Sequence, residues 1–229
     1  MSEEKLDATI ENETGHKETG RIEAFSDGVF AVAITLLVFD LKVPTPSALE
    51  AISVAGLGKA LYQQWPSYLA FITSFATILI MWVSHHSIFK LVDKSDKPFI
   101  FANGLLLMLV TVVPFPTSLL SAYLTTPAAA TACAVYSGIF VVINLAYNLL
   151  WWTITRHDGH LLNPAVSPAQ VKALTRNFLL GFPVYLLATL LAFWNPYVTI
   201  AICSGLWIFW ALISTERIPV TATSLESRM

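Results

Sequence analysis

The sequence predicts an all-α integral membrane protein with six transmembrane helices per subunit. Of its 229 residues, 55% are hydrophobic and 12% are charged, and the mean hydropathy is +0.65. A soluble domain carries about 25% charged residues, so this chain has too few charges to cover a globule in water. Several stretches of about 20 residues contain no Lys, Arg, Asp or Glu, and that length crosses the hydrocarbon core of a bilayer.

Six apolar stretches are candidate spans, and prolines mark several of their starts. Pro66, Pro98 and Pro127 lie at the starts of the second, third and fourth stretches, where a missing backbone N–H costs least. Within the third stretch, the Pro114-Phe115-Pro116 sequence should kink the helix or end its regular part. The tight turn Asn195-Pro196 divides the last two stretches. The six candidates cover residues 22–43, 65–90, 98–124, 128–155, 172–194 and 197–214.

The positive charges predict the orientation of these spans. Eleven of the thirteen Lys and Arg residues fall in the two tails and in the connections between spans 2 and 3 and between spans 4 and 5. Only Lys42 and Lys59 remain for the other side, and this split arises only with six spans. Because positive connections stay in the cytoplasm, we expect cytoplasmic tails at residues 1–20 and 215–229 around a transmembrane domain at 21–214.

The composition and the motifs exclude several classes of protein. The net charge of −2 and the lack of a basic region argue against nucleic-acid binding. No nucleophile elbow, HExxH motif or Walker loop is present, and the connections are too short for a soluble catalytic domain, so we expect no enzyme. No pattern of metal ligands is present either. Cys133 and Cys203 lie inside apolar stretches, which argues against a disulfide framework. The acidic N-terminus argues against a cleaved secretory signal.

The first span carries an acidic residue, Asp27, about one turn inside its cytoplasmic end. A lone carboxylate in the hydrocarbon core costs about 2.5–3.5 kcal/mol, so such a residue normally has a partner. One interpretation is that Asp27 stabilises the helix N-terminus at the interface; the other is a buried polar network. At 100° per residue Asp27 shares a face with Ala31, Ile34 and Val38. Small residues at Ala24, Gly28 and Ala31 predict that this side packs against protein.

A second face of the same helix is apolar apart from one hydroxyl. It is centred about 130° from the Asp27 face, so the two faces should have different surroundings. Its residues are Val32, Thr35, Leu36 and Phe39.

Three polar residues from the next two spans lie at the same predicted depth as Asp27. His85 and His86 close the second span in MWVSHHSIF, and Asn103 lies about one turn into the third. Adjacent histidines point about 100° apart, which disfavours a shared metal ion. A proton-responsive switch remains a second possibility. We favour a hydrogen bond between Asp27 and one of the two histidines, with the other histidine at the interface.

These residues resemble the signature of a known family. The motif Arg21-xxx-Phe25-Ser26-Asp27, the WVSHHSIF sequence and an asparagine followed by PFPTSLL are similar to the endosomal/lysosomal potassium-channel family. Its prokaryotic members are single six-helix repeats. The resemblance extends over about residues 18–214.

The resemblance implies a homotetramer in which four copies of the first helix line a central pore. It implies a potassium-permeable cation channel in a prokaryotic cell membrane, with no TVGYG filter and no cofactor besides the permeant potassium ions. Its partners are other copies of the chain and membrane lipids. The pore constriction falls on Val32, Thr35, Leu36 and Phe39. The motif residues form a structural network that clamps the first helix: Arg21, Phe25, Ser26, Asp27, His85, His86 and Asn103.

Two alternatives stay open on the sequence alone. A secondary transporter or proton-coupled carrier would use Asp27 and His85 as a proton relay. The sequence contains no internal repeat and no carboxylate pair at the bilayer midplane, both of which such carriers commonly have. A membrane scaffold without transport is the second alternative.

Overall fold

The computed structural model describes the backbone of residues 3–45 and 54–214, with side chains over 18–45 and 56–208. Short 3-10 turns cover Leu37–Asp40, directly after the first helix, and His157–Gly159. The helices are α1 (Glu3–Leu36), α2 (Val54–Gln63), α3 (Trp65–Phe89), α4 (Lys97–Val112), α5 (Pro114–Tyr123), α6 (Ala129–Thr155), α7 (Pro168–Leu191) and α8 (Pro196–Ser214).

The helical segments confirm the prediction of an all-α membrane protein. Within the described ranges, five segments are long and apolar enough to cross a bilayer, and α8 adds a shorter apolar stretch over Pro196–Ile208. The five are Glu18–Asp40, Trp65–Phe89, Lys97–Tyr123, Ala129–Thr155 and Pro168–Leu191.

The third predicted span is divided into α4 and α5. Regular helix ends at Val112 and restarts at Pro114, as the proline pair predicts. Pro114 has no N–H to donate to the carbonyl of Val110, four residues earlier, and the N–H of Val113 donates to that carbonyl instead, at 3.2 Å. The Thr117 hydroxyl then caps the carbonyl of Val113 at 2.8 Å.

The helices pack so that α1 and α7 lie on different sides of the subunit. α1 packs against α3 and α4, while α7 packs against α6 and α8. α6 is the most buried of the five long segments, and α1 and α7 are the least buried. The side chains of Asn144 and Asn148 on α6 donate to the carbonyl of Phe178 and so join α6 to α7.

The α3–α4 and α6–α7 connections are joined at one end of the bundle. Asp96 caps α4 through the Phe99 N–H at 2.9 Å and accepts from the Arg156 guanidinium at 2.6 Å. Partial burial opposes ionisation of Asp96, but these two donors outweigh it and hold its pKa below the usual value. An antiparallel bridge between Val92 and Leu162 adds backbone hydrogen bonds to the same junction.

Candidate pore-lining helix and its anchors

One face of α1 is packed tightly inside the subunit. Ser26, Phe30, Ala33 and Leu37 follow each other at helical spacing, and all four are buried. We call these four residues the packed face of α1. Apolar side chains supply most of it, which is expected where a helix joins its neighbours in a bundle.

The opposite side of α1 is exposed in the single subunit. Val32 is 54% and Phe39 is 75% exposed, and Thr35 and Leu36 are exposed as well. We call these four residues the exposed stripe. Its centre lies about 140° around the helix from the packed face. The Thr35 hydroxyl donates to the carbonyl of Val32 at 2.9 Å, so its oxygen can still accept a hydrogen bond or an ion contact.

A buried chain of hydrogen bonds fixes the packed face to the two neighbouring helices. The Asn103 side-chain amide on α4 donates to Ser26 Oγ at 3.0 Å, and Ser26 Oγ donates to the carbonyl of Ile22 at 2.8 Å. Because the Asn103 amide nitrogen faces Ser26, its oxygen faces His85 on α3 and accepts from His85 Nε2 at 2.8 Å. His85 therefore carries its proton on Nε2.

The His85 ring is enclosed by aromatic side chains. Its centroid lies 4.4 Å from that of Phe89 and 5.3 Å from that of Phe30. His85 is 0% exposed, and its Nδ1 atom is buried without a hydrogen-bond partner within the described residues. If Nδ1 were also protonated, its N–H would have no hydrogen-bond acceptor among the described residues, so this environment favours the neutral imidazole.

Two further side-chain contacts join α1 to α3, which run antiparallel to each other. Glu23 Oε1 lies 2.7 Å from His86 Nδ1, and one turn along, Trp82 Nε1 donates to Asp27 Oδ1 at 2.8 Å. The Trp82 and His86 rings stack on each other with centroids 5.8 Å apart. The predicted hydrogen bond between Asp27 and a histidine is therefore wrong: His85 bonds Asn103, His86 bonds Glu23, and Asp27 bonds an indole. Indole is a donor only, so the Asp27 oxygen is the acceptor of this hydrogen bond.

The remaining motif residues of α1 are exposed. Arg21 and Phe25 do not join the buried hydrogen bonds, and Phe25 is among the most exposed large side chains of the helix. Ala24, Gly28 and Ala31 are also exposed, and a Cβ built on Gly28 would meet nothing within 4 Å. The close packing predicted for these small residues is not found inside the subunit. The packed face lies about 100° from the Asp27 face.

The far end of α1 has its own anchor, which the sequence did not predict. Asp40 ends the 3-10 turn and accepts a short hydrogen bond from the Ser118 hydroxyl on α5. Its other carboxylate oxygen is buried without a partner in the part of the chain that the structure describes.

No group of three or more His, Cys, Asp and Glu side chains in the described residues is arranged to hold a metal ion. The site thus consists of an anchored helix with an exposed apolar stripe.

Comparison with known proteins identifies the family. A family model described as endosomal/lysosomal potassium channel TMEM175 matches residues 21–114, which include all the anchoring residues on α1, α3 and α4. A potassium channel of Chamaesiphon minutus is 50% identical over 197 residues, covering 86% of this chain and 95% of the relative. The chain belongs to the TMEM175 family.

A solved structure gives the same result for the fold. The crystal structure of a lysosomal potassium-selective channel TMEM175 homolog from Chamaesiphon minutus superposes with a TM-score of 0.77 at 48% identity, covering 87% of this chain and 99% of that chain. The human endosomal/lysosomal proton channel TMEM175 is 33% identical over 150 residues; the match covers 64% of this chain and 30% of the human protein, which is therefore about twice as long. TMEM175 proteins are ion channels that use no cofactor, and the prediction that the chain is not an enzyme is confirmed.

Two anchoring residues of this TMEM175 chain escaped the sequence reasoning. Trp82 precedes His86 by four residues, and Glu23 precedes Asp27 by four, so each pair shares a helix face. Pairing these two faces across antiparallel helices would have predicted both contacts, Glu23 with His86 and Asp27 with Trp82. The signal was missed because tryptophan near a span end is usually an interfacial anchor.

Proposed function

We propose that this chain is one subunit of a potassium-permeable cation channel whose pore is surrounded by α1 from four copies. The exposed stripe carries the proposal, because α1 is anchored firmly on one face and leaves apolar residues uncovered on the other. Symmetric assembly covers such a face without any second protein. The names of the relatives as potassium channels support the choice of ion.

The proposed constriction consists of Val32, Leu36 and Phe39, with Thr35 as its polar member. An ion entering a narrow apolar ring loses its hydration without gaining ligands, so such a ring conducts only when it is wide enough to stay wet. The four Thr35 side chains would supply the oxygen atoms at this level. Ser26, Asp27, His85, His86 and Asn103 stay outside the ion path as the structural network of each subunit, and the exposed Arg21 and Phe25 precede the constriction on the same helix.

We further propose six spans with both termini in the cytoplasm of a prokaryotic cell, the channel lying in its plasma membrane. α8 is then the sixth span, and residues 21–214 form the channel domain between tails at 1–20 and 215–229. The joined α3–α4 and α6–α7 connections and the adjoining first turns of α4 and α7 carry six of the thirteen Lys and Arg residues, which supports a cytoplasmic position for that end. A fused reporter at Met229 that is active outside the cell would contradict this orientation.

The decisive experiment is planar-bilayer recording of the purified protein under a potassium/sodium gradient. We expect discrete single-channel currents with a reversal potential shifted toward the potassium equilibrium value. Saturable flux without unitary currents would support the carrier that relays protons between Asp27 and His85. The geometry gives that relay little support, because Asp27 and His85 bond different partners, Trp82 and Asn103.

Substitution in the stripe tests the constriction itself. Val32→Asn should wet the apolar ring, raise the single-channel current and weaken potassium/sodium discrimination. The matched control is Ile34→Asn, a half-buried position on the Asp27 side of the same helix turn. It should lower the yield of folded protein without a gain in current. A higher current for Ile34→Asn with an unchanged current for Val32→Asn would mean that the exposed stripe does not face the ions.

A further inference from the structure

A groove of about 1110 Å³ lies between the α6–α7 connection and the first three turns of α7. α7 packs against α6 and α8, whereas α1 packs against α3 and α4. If α1 faces the axis of the oligomer, the groove is therefore on the outer side of the subunit, where lipid is the neighbour. Exposed side chains over much of α7 agree with that position.

Two cations line the groove without an ion pair to any other described side chain. Lys172 and Arg176 are four residues apart, so they share one face of α7 about 6 Å apart along its axis. Both are exposed, and neither forms an ion pair with any residue over the described side chains. Asp158 is the one carboxylate among the described lining residues, so the lining has an excess of positive charge.

Apolar residues follow the cations toward the membrane interior. Leu179 and Leu180 lie one turn beyond Arg176, line the same groove and are exposed. On the neighbouring α6, the exposed Trp152 has the Arg156 guanidinium 5.7 Å above its ring. Tryptophan and arginine together mark the level of the lipid headgroups. The groove thus begins at the polar α6–α7 connection, continues past Lys172 and Arg176, and ends at Leu179 and Leu180, so it crosses from the membrane surface toward the membrane interior.

We propose that this groove binds one anionic phospholipid, with its phosphate between Lys172 and Arg176 and its acyl chains along Leu179 and Leu180. Two unpaired cations at headgroup depth favour a net negative headgroup over a zwitterionic one. The leucines give the acyl chains a surface that a free phosphate ion would not use. The site is separate from the proposed ion path and does not depend on which ion is conducted.

Native mass spectrometry of the full-length protein in detergent tests the site by counting bound lipids. The probes are phosphatidylglycerol and phosphatidylcholine at equal concentrations. We expect the wild-type protein to retain phosphatidylglycerol in preference. Lys172→Gln with Arg176→Gln should weaken that binding about 25-fold, since each cation near an anionic headgroup raises the affinity about fivefold, and leave phosphatidylcholine binding unchanged. Ala173→Trp fills the groove without changing charge and should weaken the binding of both lipids there.

The matched control removes two exposed lysines outside the groove, by Lys90→Gln with Lys97→Gln. Its phosphatidylglycerol binding should equal that of the wild type. If this control loses as much phosphatidylglycerol binding as the Lys172/Arg176 variant, the effect is general electrostatic attraction and the proposed site is overturned. Phosphatidylglycerol binding by the Lys172/Arg176 variant equal to that of the wild type would overturn it as well. Competition by soluble glycerol phosphate at the same concentration would also overturn it, because the groove would then bind a free anion rather than a lipid.

Discussion

The two adjacent histidines occupy different environments, although the chain places them side by side. His85 is enclosed by Phe30 and Phe89 and bonds Asn103, while His86 is half-exposed beside Glu23. Neighbouring residues on a helix point about 100° apart, so one ring reaches the core and the other reaches the rim. The sequence predicted this division but not the partners.

The buried chain through Asn103 should contribute measurably to stability. Asn103→Leu keeps the branched shape of the side chain but leaves His85 Nε2–H without an acceptor and Ser26 Oγ without a donor. We expect the free energy of unfolding to fall by about 1–3 kcal/mol, measured by thermal or denaturant unfolding in detergent. Thr111→Val is the control on the same helix, because that exposed hydroxyl bonds only the nearby carbonyl of Met108. Equal losses in the two variants would argue against the buried chain.

The contact between Asp27 and Trp82 predicts coupled effects. Asp27→Asn and Trp82→Phe each weaken the same hydrogen bond, so the double variant should lose less than the sum of the two. We expect a coupling energy of about 0.6 kcal/mol and at most about 1.7 kcal/mol, the average and the maximum for hydrogen bonds between membrane helices. Trp152→Phe, at an exposed indole, should show no coupling to Asp27.

The same variants separate a structural role of Asp27 from a role in permeation. Asp27→Asn should leave the potassium/sodium permeability ratio of the surviving channels unchanged. A stable oligomer that had lost only its selectivity would instead make Asp27 a ligand for the permeant ions.

At the scale of the helix, the sequence predicted α1 in part. The helical repeat separated the stripe at Val32 and Thr35 from the Asp27 face, and these stripe residues are exposed in the single subunit. The packed face at Ser26, Phe30 and Ala33 was not predicted, because small and apolar residues lie all around this helix and periodicity alone does not distinguish a packed side from a pore or lipid side. α2 was missed as well, since two glycines in VAGLGKALYQ disfavour a helix.

Cysteine accessibility tests the rotation of α1. Thr35→Cys lies on the exposed stripe, and Ala33→Cys is 0% exposed on the packed face. Water-soluble thiol reagents applied to open channels should block most of the current through Thr35→Cys and leave Ala33→Cys unaffected. Block of Ala33→Cys together with an inert Thr35→Cys would require α1 to be turned by about half a revolution.

At the scale of the whole molecule, one junction joins the early and the late helices. Asp96 begins α4, Arg156 ends α6, and their ion pair connects the two at the charged end of the bundle. His160 adds a nitrogen 3.6 Å from the same carboxylate. Sequence reasoning placed these residues on one side of the membrane, but it could not pair them, because nothing in their spacing relates connections about 60 residues apart.

This junction predicts a pH dependence of stability. The folded-state pKa of Asp96 lies below its ordinary value of 3.8. Its contribution is therefore fully present above that value and is lost as the pH falls through the folded-state pKa. Between about pH 6 and about pH 3, the wild-type unfolding temperature should fall further than that of Asp96→Asn. Asp158→Asn, an exposed carboxylate in the same connection, should behave like the wild type.

The anchors of α1 also restrict how such a channel can open. α1 is held to α3 by Glu23 and Asp27 and to α4 through Ser26 and Asn103. Turning α1 about its own axis would break these bonds together, at a cost of about 1 kcal/mol or more for each. Gating by rotation of a single helix is therefore unfavourable. In the proposed tetramer we therefore expect a change in pore width to move α1, α3 and α4 together, with the adjustment at the contacts between subunits.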